Sequence, residues 1–576
     1  VKLPAIPRGV PGKAGALAAL LMSLLLLIPL PTRAAPACPP GDGPFGPFYG
    51  DAIPFRTAIA SVADSERSNQ RLTGVIVPHH LLAADLVALG FHAASDFAYK
   101  RIILLAPDHF HHARKPFATT GRDFDTVLGP VRTDRDAVAA LLRQADMMEE
   151  SCLFADEHGV AALLPFLRHY FPEAEIVPVA ISARAKHADW DRLTEALKSI
   201  IDVDTLVVES TDFSHFLPQH EARRFDQQTL TLLAAGSLDG IAALRQPAHA
   251  DSIGALYVQT RLQREFFGAG PLVMANENSQ ERSPVHEERT TSYMVVLFGA
   301  FTPGFNNPTR SQDRLYYLAG DVNFGRAMKK VMLREGVADA IVDEVLSITR
   351  GRPLLVNLEG VILPNVPETL DGMTLAMPQE LTLDKLRRLH VAGVGLANNH
   401  AFDLGPTGYA ETLAALGAAG IPHFGQGEVL SLPGMDIVGL TDIDTNGSRF
   451  TDLVTPDLLD RLVRPDATRP VIAFVHWGRE YVAEPSARET MLADEMRLRG
   501  VTLIAGGHPH VSSGAILPLG GGDTAKVYSL GNFLFDQGSD RSSGALLEVR
   551  VFAQGTVFCR LIPLPNYFDM ARAAAK

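Results

Sequence analysis

A chain of 576 residues exceeds what a single hydrophobic core fills, so two or more domains are expected. Hydrophobic residues make up 47% and charged residues 20%, an ordinary globular balance that excludes wholesale disorder. The net charge of −13 argues against nucleic acid as the main partner. An acidic polymer would need a local basic patch that net charge does not reveal.

The chain opens on a targeting pattern. Lys2, Arg8 and Lys13 precede an apolar stretch over 16–30, followed by the small-residue site Ala35-Pro36-Ala37. That order reads as a signal peptide over 1–37, hence export to the periplasm or the cell envelope. The stretch falls short of the ~20 residues a spanning helix needs, which disfavours an uncleaved membrane anchor. Cys38 offers a lipoprotein alternative, although the residues before it make a poor lipobox. With Cys152 and Cys559 it forms no CxxC pair, so any metal is held by His, Asp, Glu or Asn. Residues 38–70 are rich in Pro and Gly and read as a linker or arm.

A first domain is expected over 71–300, a turn-rich linker over 301–312, a second domain over 313–565 and a tail over 566–576. In the first domain, apolar strand-like runs end in His79-His80, in Asp108-His109 and in the segment Thr211 to His215. Between them Glu157-His158-Gly159 opens another apolar run. Histidines at strand ends can face one cleft, and neutral imidazole is the commonest metal ligand. His80, His111 and His112 read as solvated loop residues, and His92 and His169 as helix-surface residues.

In the second domain five apolar runs end in Asp321, Asn357-Leu358-Glu359, Asn398-Asn399-His400, His476 and His508-Pro509-His510. Short apolar runs alternating with helical patterns read as buried strands of an α/β fold. The C-terminal mouths of such strands collect ligands, so these clusters would converge on one rim. Carboxylate, imidazole and amide oxygen together suit hard or borderline metals. Arg326 and Arg479 are candidates for binding an anionic substrate. Asp403 and Gly405 are expected to open the helix after the Asn399-His400 loop. The run Tyr528-Ser529-Leu530-Gly531-Asn532 reads as a strand with a close backbone approach.

The motifs GDVNFGR (320–326), NLEG (357–360), NNHAFDLG (398–405), HWGREY (476–481), GGHPHV (506–511) and YSLGNFLFD (528–536) resemble the CapA family of capsule and poly-γ-glutamate synthesis proteins. The resemblance implies a calcineurin-like metallophosphoesterase fold, a β-sandwich flanked by helices, holding two divalent ions (Mn, Fe, Zn or Mg). It implies that Asp321 binds the first ion, Glu359 bridges both, Asn399, His476 and His508 hold the second, and His510 returns to the first. His400 would lie beside the leaving group. Phosphoesterases usually carry Asp-x-His in the first motif; here Asn323 takes the histidine position and would ligate weakly.

VPHH, LLAPDH, TVLGPVRTD (126–134), EHGV and STDFSH resemble the Memo-like family, also called AmmeMemoRadiSam system protein B. This implies a class III extradiol dioxygenase-like α/β domain with one metal (iron, copper or zinc). His79 and His109 would be ligands, Asp212 and His215 would complete or line the site, and Glu157 and His158 would support it or touch substrate. The family's usual cysteine aligns near Ile253-Gly254 and is missing, leaving Asp251 or Ser252 as substitutes.

The leading expectation is an exported envelope protein whose second domain is a metal-dependent hydrolase. Its substrate would be a phosphoester or an anionic envelope polymer, near membrane-associated polymer synthesis or export machinery. One alternative is a non-catalytic scaffold that binds or exports polyanion. Another is a Memo-like iron or copper oxidoreductase.

Overall fold

The computed structural model describes residues 43–144, 146–302, 305–370, 373–444, 453–463 and 469–573. The signal segment 1–37 and Cys38 lie outside the described residues. In the first half a nine-stranded sheet runs, in spatial order, 148–150, 117–119, 175–181, 101–107, 205–210, 74–77, 290–299 and 213–217, with 270–278 pairing 290–299. Its central strands, 175–181, 101–107, 205–210 and 74–77, are parallel. Both faces are covered, which explains why their sequences are continuously apolar. Along Arg101–Pro107, for instance, Ile102, Leu104 and Ala106 enter one core, and Ile103 and Leu105 enter the other.

The 38–70 segment is not a free linker where it is described. Residues 53–61 form a helix, and Phe45, Phe55 and Ala58 are buried in the first core. Pro and Gly there mark turns, and the aromatic residues between them supply the burial. The 301–312 segment is likewise a packed strap. Phe305 joins the first core, and buried Asn307 accepts a 2.6 Å bond from Arg550. At the far end Tyr567–Ala573 is a helix whose Tyr567, Phe568 and Ala571 are buried, so the expected tail is partly core.

The second half is an α/β mixture with two large sheets and, among the described residues, a small one pairing 361–363 with 376–378. One large sheet orders 423–424, 391–395, 354–358, 314–322, 544–551 and 557–564, with 532–534 pairing 314–322. The other orders 429–432, 435–441, 471–476, 501–507, 524–527 and 517–519. Alternation along the strands assembles three layers of core. Tyr316 and Leu318 meet Ile472 and Phe474 between the sheets. Leu315, Tyr317 and Ala319 pack outward against helices, as do Val471, Ala473 and Val475 on the other side. This is the sandwich flanked by helices that the sequence led us to expect.

The run 528–531 makes the expected close approach. A Cβ on Gly320 would sit 1.7 Å from the Gly531 carbonyl oxygen, and one on Gly506 would sit 1.7 Å from the Tyr528 carbonyl oxygen. Only glycine lets the backbones come so near. The contact is bonded, since Asp321 N–H donates to Gly531 and Leu530 N–H donates to Gly506, at 3.0 and 2.8 Å.

The two halves are joined through side chains as well as through the strap. Gln227 on the Gln219–Ala235 helix accepts from the Val557 N–H at 2.8 Å and donates to its carbonyl at 2.9 Å. Buried Asn276 accepts from Thr556, while Phe552 and Phe558 enter the second core of the first half. Among the described residues no helix is long and apolar enough to cross a membrane.

Candidate metal centres

In the second domain the strand ends converge. Asp321 lies near the end of Arg314–Val322, Glu359 directly follows Leu354–Leu358, and His476 ends Val471–His476. His508 and His510 follow Val501–Gly507, both at positive φ (88° and 58°). Side chains rarely adopt that backbone, and such strain gathers where a site over-determines it. Two buried groups of ligand atoms result: Asp321, Glu359 and His510, and Glu359, His476 and His508. Glu359 belongs to both.

The distances show acceptors crowded around a point. His476 Nε2 lies 2.7 Å from Asn399 Oδ1, 3.2 Å from His508 Nδ1 and 3.9 Å from Glu359 Oε1. Asp321 Oδ2 lies 3.3 Å from His510 Nδ1. Glu359 Oε2 is buried and has no hydrogen-bond partner. Burial and then the neighbouring Asp321 push the Glu359 carboxyl up to about 7. Burial and the nearby His510 hold His508 down at about 4, and burial keeps His476 well below the usual imidazole range. Neutral imidazoles, an amide oxygen and a carboxylate short of positive charge are a donor set that fits divalent cations.

Two side chains that sequence reasoning left without a role hold the ligands in place. Asn357 Nδ2 donates to Asp321 Oδ1 at 2.7 Å, and Asn532 Oδ1 lies 2.8 Å from His510 Nδ1. The adjacency of strand ends that put Asn357 beside Asp321 was the available signal. Asp403 does more than precede the helix that starts at Gly405: its carboxylate lies 2.8 Å from His400 Nδ1. His400 Nε2 is then the nitrogen toward Glu359, 3.7 Å away. Burial disfavours a charge on His400, but the Asp403 bond and Glu359 outweigh it and raise its proton affinity.

One expectation here needs correction. Asn323 is a brace, with Oδ1 accepting from the Gly325 N–H at 2.8 Å and Nδ2 donating to the Glu359 carbonyl at 2.7 Å. Its amide is engaged by backbone at both ends and fixes the loop that carries Glu359. Arg326 bonds Asp536, with Nε 3.1 Å from Oδ2. Arg479 is exposed and makes no ion pair among the described residues.

The first domain gathers a second cluster. His79, His109 and His158 present ring nitrogens to one another, and His79, Asp212 and Asp251 do the same with their ligand atoms. Asp251 Oδ2 stands 3.1 Å from His79 Nε2 and 3.5 Å from His109 Nε2, so of the two expected substitutes it is the one that faces the histidines. Ser252 instead caps the helix Ile253–Arg261. Burial opposes ionisation of Asp251, but His79 and His109 hold its carboxyl below the usual range. Burial opposes a charge on His109 as well, yet its bonds to Asp251 and Glu157 raise it to about 10.

Glu157 supports His109, as one of its two expected roles requires. Its Oε1 is 2.7 Å from His109 Nδ1, and its Oε2 accepts from the His109 N–H at 3.0 Å. His158 stacks on His109 with ring centroids 4.0 Å apart, making it a third imidazole of the cluster. Burial, then His109 and His79, hold its pKa down to about 4. His215 stays out of both groups; its ring lies against Phe216. His92 is buried, 3.1 Å from the Ser65 carbonyl, and is not a surface residue.

Comparison with known proteins agrees with both halves. Residues 53–258 match the model of the Memo-like protein family. Residues 316–433 and 456–537 match that of the bacterial capsule synthesis protein PGA_cap. The PGA biosynthesis protein CapA of Bacillus subtilis is 30% identical over 271 residues, 42% of this chain and 70% of the relative. The capsule biosynthesis protein CapA of Bacillus anthracis is 28% identical over 285 residues, 43% of this chain and 66% of the relative. A MEMO1 family protein of Methanopyrus kandleri is 27% identical over 175 residues, 28% of this chain and 60% of the relative. Motifs, sandwich and relatives converge: this chain belongs to the CapA family of capsule synthesis proteins and carries a Memo-like domain ahead of its CapA domain.

Proposed function

We propose that the second domain is a two-metal hydrolase of the cell envelope, acting on a phosphoester or an anionic envelope polymer in capsule synthesis. The supporting observation is the buried Glu359, common to two ligand groups and left with an unpartnered oxygen. Asp321, Glu359 and His510 would hold one divalent ion (Mn, Fe, Zn or Mg), and Glu359, Asn399, His476 and His508 the other. Such ions supply Lewis acidity and a water nucleophile at neutral pH. The chain's own contribution is orientation and proton transfer. Asp403 fixes Nδ1 of His400, so Nε2 delivers the proton that the leaving oxygen takes as its bond to phosphorus breaks. Asn357 and Asn532 keep the ligands from turning.

The export signal over 1–37 and the polymer machinery at the membrane belong to this reading. Capsule or PGA biosynthesis is what the names of the two Bacillus relatives state, and it is extended here to this chain. A non-catalytic polyanion scaffold is favoured by one observation: with Asn323 used as a brace, the first ion keeps only three protein ligands. In the first domain, His79, His109 and Asp251, with His158 and Asp212 beside them, would hold one ion. A carboxylate in place of a thiolate shifts the preference from copper toward iron or zinc, which disfavours only the copper form of the oxidoreductase alternative.

Metal stoichiometry of the full chain, measured beside hydrolysis of bis(p-nitrophenyl) phosphate and of poly-γ-glutamate, tests the reading. Two ions in the second domain with cleavage of either substrate supports it. Two ions without cleavage turns the assignment to a scaffold.

A further inference from the structure

A cleft of about 560 Å³ lies where the two domains meet, and five arginines line it. Arg223 and Arg224 enter it from the Gln219–Ala235 helix. Arg469, Arg497 and Arg499 enter it from the second domain, and among the described residues Asp523 is the one carboxylate in its lining. The net charge of the chain is −13, so this concentration of guanidinium groups is local.

Three of the arginines are already paired with carboxylates, and Arg497 also lies 3.8 Å from the cleft's own Asp523. Arg497 bonds Asp494 at 3.2 Å, Arg499 bonds Asp460 at 2.7 Å, and Arg469 bonds Asp436 at 3.0 Å. Anchoring does not use up a guanidinium, which carries five N–H donors in a rigid plane. Arg499, for example, engages its carboxylates through Nε and Nη1. Holding the group still lowers the entropy lost when its other donors take a ligand. Arg224 is in no ion pair among the described residues and packs its charge over the Phe225 ring at 5.2 Å. Arg223 donates to the Gln554 carbonyl at 3.4 Å.

The cleft is remote from the second domain's metal cluster by construction. Arg469 and Arg499 precede the strands Val471–His476 and Val501–Gly507, whose far ends carry the metal-ligating histidines. Five residue steps of strand, at about 3.3 Å each, separate the two ends by roughly 17 Å. One wall belongs to each domain, so neither domain alone builds the cleft.

We propose that this interdomain cleft binds a linear oligoanion, a run of carboxylates or phosphates spaced closely enough for several guanidinium forks to engage at once. The proposal is independent of the reading of the metal centres. The test is calorimetric titration of the full chain with a glutamate decapeptide and, separately, with tripolyphosphate. It is repeated on the double variant Arg223→Gln/Arg224→Gln and on His476→Ala. We expect saturable binding of at least one probe, weakening steeply with salt and at least tenfold in the double variant, whose metal content stays that of the wild type. Whichever probe binds identifies carboxylate or phosphate as the source. No saturable binding of either probe overturns the proposal, as does unchanged affinity in the double variant. Binding lost in His476→Ala but kept in the double variant also overturns it, because the ligand then sits at the metal centre.

Discussion

Asp226 places a titratable load on the joint between the domains. Its carboxylate is fully buried, accepts from Ser214 at 2.6 Å and Asn276 at 3.1 Å, and lies beside Gln554 of the second domain. Burial pushes its pKa up to about 6 from an ordinary 3.8, although those donors pull the other way. A carboxyl whose proton affinity is raised by folding favours the folded state fully below the unfolded pKa. It loses that contribution as pH rises through the folded value. The 2.2-unit difference corresponds to a loss of about 3 kcal/mol over the whole range, of which roughly 1.4 kcal/mol falls between pH 5 and pH 8. Asp226→Asn removes the titration and fits the site. Its oxygen can face the Asn276 and Gln554 donors while its amide N–H meets Ser214, whose hydroxyl can turn to accept. Urea unfolding of both proteins at pH 5 and pH 8 measures the effect. The wild type should lose stability relative to the variant by about 1.4 kcal/mol on going from pH 5 to pH 8. A difference that stays constant, or that grows in favour of the wild type at pH 8, refutes the reasoning.

The remaining expectations concern the metal centres. Glu359→Ala should release both ions of the second domain, read by elemental analysis, because both ligand groups share it. His400→Ala should leave metal content unchanged and lower turnover on the order of 10²–10⁴-fold as a lost proton donor; a loss of metal instead would show His400 to be a ligand. Either His79→Ala or Asp251→Ala should abolish metal binding in the first domain, whereas exposed His111→Ala should not. Asn323→His should not strengthen the first ion. It removes the two backbone contacts of the brace, and chemical denaturation should show a loss of about 1–3 kcal/mol.

The strand-end clusters were legible because a buried strand must be apolar until it reaches the rim, so the first polar side chain marks the mouth. Asp321, His476 and His508 obey that rule, and on the strand before Glu359 it is Asn357 that marks the mouth. The role of Asn323 was not legible, since spacing places a residue near a site without saying which way its amide turns. His158 was hidden for a related reason. It begins a helix, and only the stacking of that helix against His109 makes it a third imidazole. The packed strap and arm were misread because Pro and Gly report local turns. Burial of Phe45, Phe55 and Phe305 is decided by what lies across from them. The arginine cleft was invisible for the deepest reason: its two walls are more than two hundred residues apart.

The glycine crossing at 320 and 506 bears on how any mutational survey of this protein is interpreted. Neither residue offers a ligand, yet each lies close to one in the chain: Gly320 precedes Asp321, and Gly506 lies two residues before His508. An alanine at either position collides with backbone, which has no rotamer to yield, so the strand shifts and carries the ligand with it. Activity-based scoring would therefore rank two chemically inert residues alongside the metal-binding ones. A survey that also records folding would separate them, since loss of a ligand leaves the sandwich standing while a wedge between its strands does not.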